Sequence, residues 1–381
     1  MKQVLTAKLK LITNPDRANL LREVSLAYRE ALNYTSRIAF ENKKTSSSSR
    51  LQKLVYRDLR SLYGLPAQMA CNVPRQVAAT YSGLWTKVLQ NAEHLKLGIT
   101  KKRFKGLDKA PKYSSRTCPL NYGRDYSFVK GKVSVITLQG RIKVEYQGYH
   151  KHLDLVLSGK ATYGAAKIWY NKSTKTYYLL VSIEVEVPEL NSTDIKRVMG
   201  VDVGRRYLAV VTDTKNQTQF FSGKSTVHKA GHYQRVRKRL QQKGTRSAKR
   251  RLKAIAGRER RFTADVNHCL AKQIVTPNTL IGLESLTNIR ERTKPKNQGK
   301  KASKKQRKAN RNQAKWAFAE LHSFIDYKAI MSGSIAVKVD ADYTSRSCPK
   351  CGHTHEDNRP GKGLVFHCMS CGFTLHADSV A

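Results

Sequence analysis

Acidic residues are scarce in this sequence. It carries 27 Asp and Glu against 72 Lys and Arg, a formal net charge of +45 over 381 residues. A globular chain so short of acids repels itself unless a polyanion neutralises it. Nucleic acid does so and releases counterions on binding. Long apolar runs are absent too. No stretch approaches 18 consecutive apolar residues, which excludes a spanning helix and leaves a membrane surface as a distant second partner. Met1 to Thr13 alternates and holds three lysines, unlike a signal peptide. Cysteine is sparse, with seven in all. Cys71, Cys118 and Cys269 stand singly, and the other four form two CxxC pairs. That pattern excludes a disulfide framework and points to a reducing compartment and a bound metal.

What is present is enough to fold. With 40% hydrophobic residues the chain can bury cores, and its length implies about two to four domains. Residues 2–12 alternate and read as a strand. Asn14-Pro15-Asp16 starts a helical stretch reaching about residue 96, broken by serines at 45–49. Residues 97–125 read as basic and irregular. Five strands follow, beginning at Val133, Arg141, Leu153, Ala161 and Tyr177. Their short turns predict a small barrel that the first strand can join, with the helices inserted between. After a linker at 188–197, strands are expected at 198–203, 207–212 and 218–221. A basic helical stretch at 228–275, a strand at 280–284, a helix from 316 to 327 and a strand from Ile335 complete the pattern.

Two runs concentrate the positive charge. Arg235 to Arg261 holds thirteen Lys and Arg and one acid, interleaved with Val236, Leu240, Leu252 and Ile255. It predicts a helix with one packed face and one basic face, able to follow a phosphate backbone. Arg235, Arg237, Lys238, Arg239, Lys249, Arg250 and Arg251 are its candidate contacts. Arg290 to Lys315 holds twelve Lys and Arg and one acid, with Pro295, Asn297 and Gly299. It reads as a loop that orders on nucleic acid.

Cys348-Pro-Lys-Cys351 and Cys368-Met-Ser-Cys371 lie sixteen residues apart, each followed by Gly. This is zinc-ribbon spacing. Four thiolates close a tetrahedral shell, so the zinc is expected to be structural. His353, His355, His367 and His376 lie nearby; they are expected to face solvent or phosphate and are only reserve ligands.

Three acids stand out. Asp202 ends an apolar strand on the face opposite Val201 and Val203. Glu284 repeats that design at the end of Leu280-Ile-Gly-Leu. Asp378 follows the second cysteine pair. Each has an ordinary explanation alone: a turn acid, the opening of a helix, a helix N-cap. Asp340 and Asp342 compete with them. The order carries more: strand with Asp, two strands, helices, strand with Glu, helix, strand, late Asp. That is the plan of an RNase H-like fold. Three acids at one sheet edge can hold two magnesium ions about 3.5–4 Å apart.

These stretches resemble the TnpB proteins of bacterial and archaeal transposons, relatives of the type V CRISPR effectors. The matching segments are Gly200 to Asp213, Ile281 to Glu284, Trp316-Ala-Phe318 with Tyr327-Lys-Ala329, and Thr344 to Asp378 through both cysteine pairs; together they fall within 198–381. Residues 101–130, including Arg124 to Phe128, resemble the family more weakly. The resemblance implies an α+β multidomain chain with a β-barrel at 1–13 and 97–190 and a helical recognition domain at 14–96. It also implies an RNase H-like RuvC nuclease at 195–345 and 374–381, with a zinc ribbon inserted at 346–373. Asp202, Glu284 and Asp378 would be the catalytic magnesium ligands. Cys348, Cys351, Cys368 and Cys371 would hold zinc. Guide RNA and target DNA would be the partners, in a prokaryotic cytoplasm at the nucleoid, and base pairing would choose the sequence. Two departures support an alternative, an RNA-guided protein that binds without cutting. Val380 stands where the family has Asn, and the sequence stops at Ala381, so little of the helix that carries the last Asp is expected. A transposase that joins strands directly is a third reading, but no helix-turn-helix precedes the sheet.

Overall fold

Alternating residues at the start of the chain form strand β1 (Lys2–Ile12), whose Ala7, Leu9 and Leu11 are buried. Pro15 then opens helix α1 (Pro15–Glu41), and the Asn14 side chain accepts the Arg17 amide at its N-cap. This computed structural model describes residues 2–286 apart from 173, 188, 190 and 216, and then 317–340, 344, 346–359 and 364–380. The second basic run and Asp342 lie outside the described residues. The chain divides into two compact units, Lys2–Glu186 and Val187–Ala381.

In the first unit, α1, α2 (Ser48–Ser61) and α3 (Ala67–Lys96) follow β1 before the sheet resumes. Leu21, Val24, Tyr28, Leu51, Val55, Met69 and Val77 are fully buried among them. Each such side chain is worth roughly 1.5–3 kcal/mol of burial, which explains why this block folds in spite of its charge. The helices then tie down the irregular stretch that follows. Asn33 on α1 exchanges hydrogen bonds with the Tyr113 backbone, and Ser36 donates to the Pro111 carbonyl at 2.8 Å.

The remaining elements are β2 (Thr117–Leu120), β3 (Tyr126–Val129), β4 (Lys132–Thr137), β5 (Gly140–Gln147), α4 (His150–Leu157), β6 (Ala161–Asn171) and β7 (Thr176–Glu186). The sheet order is β2-β6-β7-β1-β5-β4-β3. Its two edges approach one another. The Tyr126 hydroxyl on β3 donates to the Gly164 carbonyl on β6 at 2.7 Å, and the Tyr122 and Phe128 rings lie 4.8 and 5.0 Å from Tyr163. The result is a nearly closed, barrel-like sheet.

Two expectations need correction here. The stretch at Leu153 is helix α4 and not a strand. Its apolar residues alternate, but over so few positions they also fit a helix turn, with Val156 buried and Leu157 exposed. Residues 117–120 and 126–129, read as part of or next to an irregular stretch, are strands. Pro119 hid the first of them. It is tolerated because β2 is an edge strand, where a missing donor costs no ladder bond.

The second unit contains β8 (Arg197–Asp202), β9 (Tyr207–Asp213), β10 (Thr218–Ser222), β11 (Thr279–Glu284) and β12 (Ile335–Val339), in the order β10-β9-β8-β11-β12. The first three form an antiparallel meander, and β11 runs parallel to both β8 and β12. Between β10 and β11 the basic stretch forms three helices where one was expected: α5 (Lys224–Lys243), α6 (Arg246–Ile255) and α7 (Arg258–Ile274). The breaks fall at Gly244 and Gly257, both at positive φ (63° and 76°), a conformation that glycine adopts without a Cβ penalty. Helix α8 (Phe318–Met331) precedes β12. Leu270, Ala271 and Ile274 of α7 and Leu321, Ile325 and Ala329 of α8 cover one face of the sheet, packing on Met199, Val201, Ile281 and Leu283. The chain continues into the hairpin β13 (Val365–His367) and β14 (Thr374–His376), and the short helix α9 (Ala377–Val380). Among the described residues no helix is long and apolar enough to cross a membrane.

Candidate active site and metal centre

The face of the second sheet opposite α7 and α8 carries the acids. Along β8 and β11 the inward residues Met199, Val201, Ile281 and Leu283 alternate with Gly200, Asp202, Gly282 and Glu284. The strands pair in parallel with Leu283 opposite Val201, so the next residues, Glu284 and Asp202, end neighbouring strands side by side. Gly200 pairs with Gly282 two residues earlier, leaving a floor without side chains, and a Cβ at Gly200 would meet nothing within 4 Å. Val198, Leu280, Val337, Val339 and Thr344 complete a cleft of about 310 Å³.

Electrostatics agrees with this placement. Partial burial pushes the Glu284 carboxyl above its usual range, and the negative charge of Asp202 pushes it further. Two carboxylates this close oppose each other's ionisation unless a cation lies between them. Oxygen donors of this kind suit a hard ion such as magnesium.

The C-terminal segment lies on the same face. Asp202 pairs with Val210, and Val210 pairs with Phe220, so the three share one side of the sheet. The His376 ring sits 5.2 Å from Phe220 and 6.1 Å from Tyr207. Helix α9 starts at the next residue, and its buried Ala377 donates its amide to the Leu364 carbonyl at 2.7 Å. Asp378 is the second residue of that helix, and its side chain lies outside the described residues. Val380 packs with Ala377 against Phe366 and the buried cysteines. Asp340 follows β12 directly, one residue past Val339, the partner of Glu284. The Tyr207–Phe220–His376 cluster was not legible in the sequence, where His376 read as facing solvent or phosphate, with zinc ligation in reserve.

The four paired cysteines converge. Their sulfurs lie within 4.8 Å of one another, with Cys348 and Cys371 3.7 Å apart and Cys351 and Cys368 3.6 Å apart. The two knuckles repeat one geometry. In each, the glycine after the second cysteine donates its amide to the carbonyl of the first at 2.9 Å, at a φ of 73° for Gly352 and 69° for Gly372. Burial would raise the Cys368 thiol, but the amides of Cys371 and Ser370 and the sulfurs of Cys351 and Cys371 outweigh it and bring the thiol down to about 6. The Phe373 amide favours the Cys371 thiolate, but burial and the other three sulfurs push that thiol up to about 12. Bare, four thiolates this close would repel one another; a tetrahedral zinc ion would offset that charge, and the convergence of the four sulfurs fits one. Among the described residues no histidine joins this group. His353 and His355 stack on each other, and His367 bonds Thr374.

The named basic residues are all exposed: Arg235, Arg237, Lys238 and Arg239 on α5, and Lys249, Arg250 and Arg251 on α6. Arg237 is already committed, paired to Glu259 of α7 at 2.6 Å.

The chain is similar to known proteins. Residues 318–381 match the model of the Cas12f1-like TNB domain, and residues 181–291 match a family described as probable transposase. The Cas12f1 endodeoxyribonuclease of Sulfoacidibacillus thermotolerans is 26% identical over 66% of this chain and 58% of its own length. The TnpB-like protein MJ0751 of Methanocaldococcus jannaschii is 27% identical over 50% of this chain and 69% of its own. A cryo-EM structure of a Cas12f1–sgRNA–target DNA complex aligns with a TM-score of 0.60 at 16% identity, covering 96% of this chain and 81% of that one. The fold is therefore similar to that of Cas12f1. In sequence the chain is similar to TnpB-like and Cas12f proteins, as its motifs indicated. It spans little more than half of the Cas12f1 relative.

Proposed function

We propose that this chain is an RNA-guided DNA endonuclease that hydrolyses phosphodiesters at Asp202 and Glu284. The juxtaposition of those two carboxylates at the ends of parallel strands carries the reading. Its support is the strand order, which suits an RNase H-like sheet of RuvC type, and the kinship with Cas12f and TnpB-like proteins. Asp202, Glu284 and Asp378 would hold magnesium, which when bound supplies an activated water and neutralises charge on the scissile phosphate. The chain's own part is to fix two negative charges on an open sheet face with a side-chain-free floor, where a nucleic-acid backbone can approach. Within this reading, 195–345 with 374–381 is the nuclease and 346–373 its zinc ribbon. The barrel (1–13 and 97–190) and the helices (14–96) hold a guide RNA and read a short motif beside the target. Such a protein works on the nucleic acid of a prokaryotic cytoplasm.

Asp378 decides between this reading and its alternative. Val380, which replaces the family's Asn, is used for packing against the ribbon and has no polar atom to offer the site. If the protein only binds, it should hold a guide-matched plasmid and leave it intact with magnesium present. The nuclease reading expects linear product, lost in EDTA and lost again in Asp378→Ala. Full cutting by Asp378→Ala combined with failure of Asp340→Ala would move the third ligand to Asp340.

The basic helices should set affinity through phosphate contacts. Replacing Arg235, Lys238 and Arg239 together by Gln is expected to flatten the log–log salt dependence of binding by roughly 0.7–0.9 per lost contact. Replacing Arg237 alone should change it less, since Glu259 already pairs with that guanidinium. A slope unchanged in the triple variant would show that α5 does not follow the backbone.

A further inference from the structure

A residue outside the cysteine motif joins the two halves of the four-sulfur site. Asn358 closes the short turn Glu356–Asn358 between the knuckles and is completely buried. Its amide group reaches both of them. Nδ2 donates to the Arg346 carbonyl at 2.9 Å and to the His353 carbonyl at 3.0 Å, on either side of Cys348 and Cys351. Oδ1 accepts the amide of Met369, inside the Cys368–Cys371 knuckle, at 2.9 Å. The His353 carbonyl also receives the Cys348 amide at 2.9 Å, so Asn358 grips the peptide that orients the first ligand. Asn has two donors and an acceptor on one rigid plane, and here all three are used.

We infer that Asn358 is a positioning residue for the metal site: it locks the knuckles in register, so that the four sulfurs stand together before an ion arrives. The inference rests on the zinc reading above. Groups behind the ligands commonly change metal affinity by roughly 10–100-fold when removed. Asp is the informative replacement. It keeps the acceptor for Met369 and loses both donors, and its charge adds to that of the thiolates. Ala loses all three bonds.

The test uses the full chain and two readouts. The first is the rate of zinc transfer to a chromogenic chelator. The second is hydrogen exchange at the Met369 amide, with and without zinc. Amides of β8 and β11 serve as the control for folding. Zinc should leave both variants roughly 10-fold faster or more. Met369 should lose protection in Asn358→Ala and largely keep it in Asn358→Asp. Wild-type zinc release in both variants, or Met369 still protected in Asn358→Ala, overturns the inference. A wild-type chain that retains no zinc overturns the zinc reading separately. The exchange measurement needs no metal and still decides: protection lost in Asn358→Ala supports the clasp, and protection unchanged removes it.

Discussion

Asp202→Ala is expected to abolish DNA cutting while nucleic-acid binding stays within a few-fold of wild type. The two activities are expected to separate because, on this proposal, they rest on different elements. Asp202 lies at the end of β8 on the open face of the sheet, whereas the exposed arginines and lysines lie on α5 and α6. Electrostatic stabilisation by a bound metal is worth several kcal/mol, so losing a ligand should lower the rate roughly 10²–10⁴-fold. Glu284→Ala should behave alike. The double variant should be scarcely worse than either single one, since groups acting as a unit are not additive. Removing Asp202 should also let the Glu284 carboxyl fall back towards its ordinary range, because the neighbouring charge is one of the two causes holding it up. A plasmid-nicking assay beside a filter-binding titration checks this. Cutting at the wild-type rate by both single variants would remove the carboxylates from the mechanism.

Removing the zinc should have the second large effect. On the zinc reading, the ion would stand in for a hydrophobic core in a segment this small. Only Cys348, Phe366, Cys368 and Ala377 form the buried cluster among the described residues there. Structural zinc contributes on the order of 10 kcal/mol to comparable small domains. Cys351→Ser should therefore release the metal and expose the amides of β13 and β14. It should also lower cutting at least roughly 10-fold by the same reasoning, because α9 grows directly from β14 and is held to Leu364. Cys269→Ser, at an exposed thiol on α7, should do none of these things. Metal analysis of purified protein should find about one zinc per chain. A folded Cys351→Ser chain that still carries zinc would disprove the four-cysteine site.

The parts of this molecule that the sequence made legible are local. The cysteine knuckles were readable because spacing and glycine set their geometry within a few residues. The strands bearing Asp202 and Glu284 were readable because an acid interrupting an apolar alternation is costly without a use. Their meeting was not readable from alternation alone. Residues 202 and 284 are brought together by the parallel register of β8 and β11, which depends on α7 and α8 packing beneath the sheet. The same limit explains the errors. Leu153 to Leu157 alternates, yet the chain around it demands a helix. Pro119 argues against a strand unless the strand is known to be an edge. The basic stretch looked continuous because glycine within a helical pattern is ambiguous until its φ is known, as at Gly244 and Gly257. Asn358 carried no signal at all, because an asparagine near a proline reads first as a turn.

The most direct test of the central claim is to change the guide and follow the cut. RNA should co-purify with the protein, and sequencing should identify its variable segment. Replacing that segment with one matching a different plasmid site should move magnesium-dependent cleavage to the new site, with the original site left intact. Cleavage that stays where it was, or that proceeds equally on plasmids without a match, would contradict an RNA-guided nuclease.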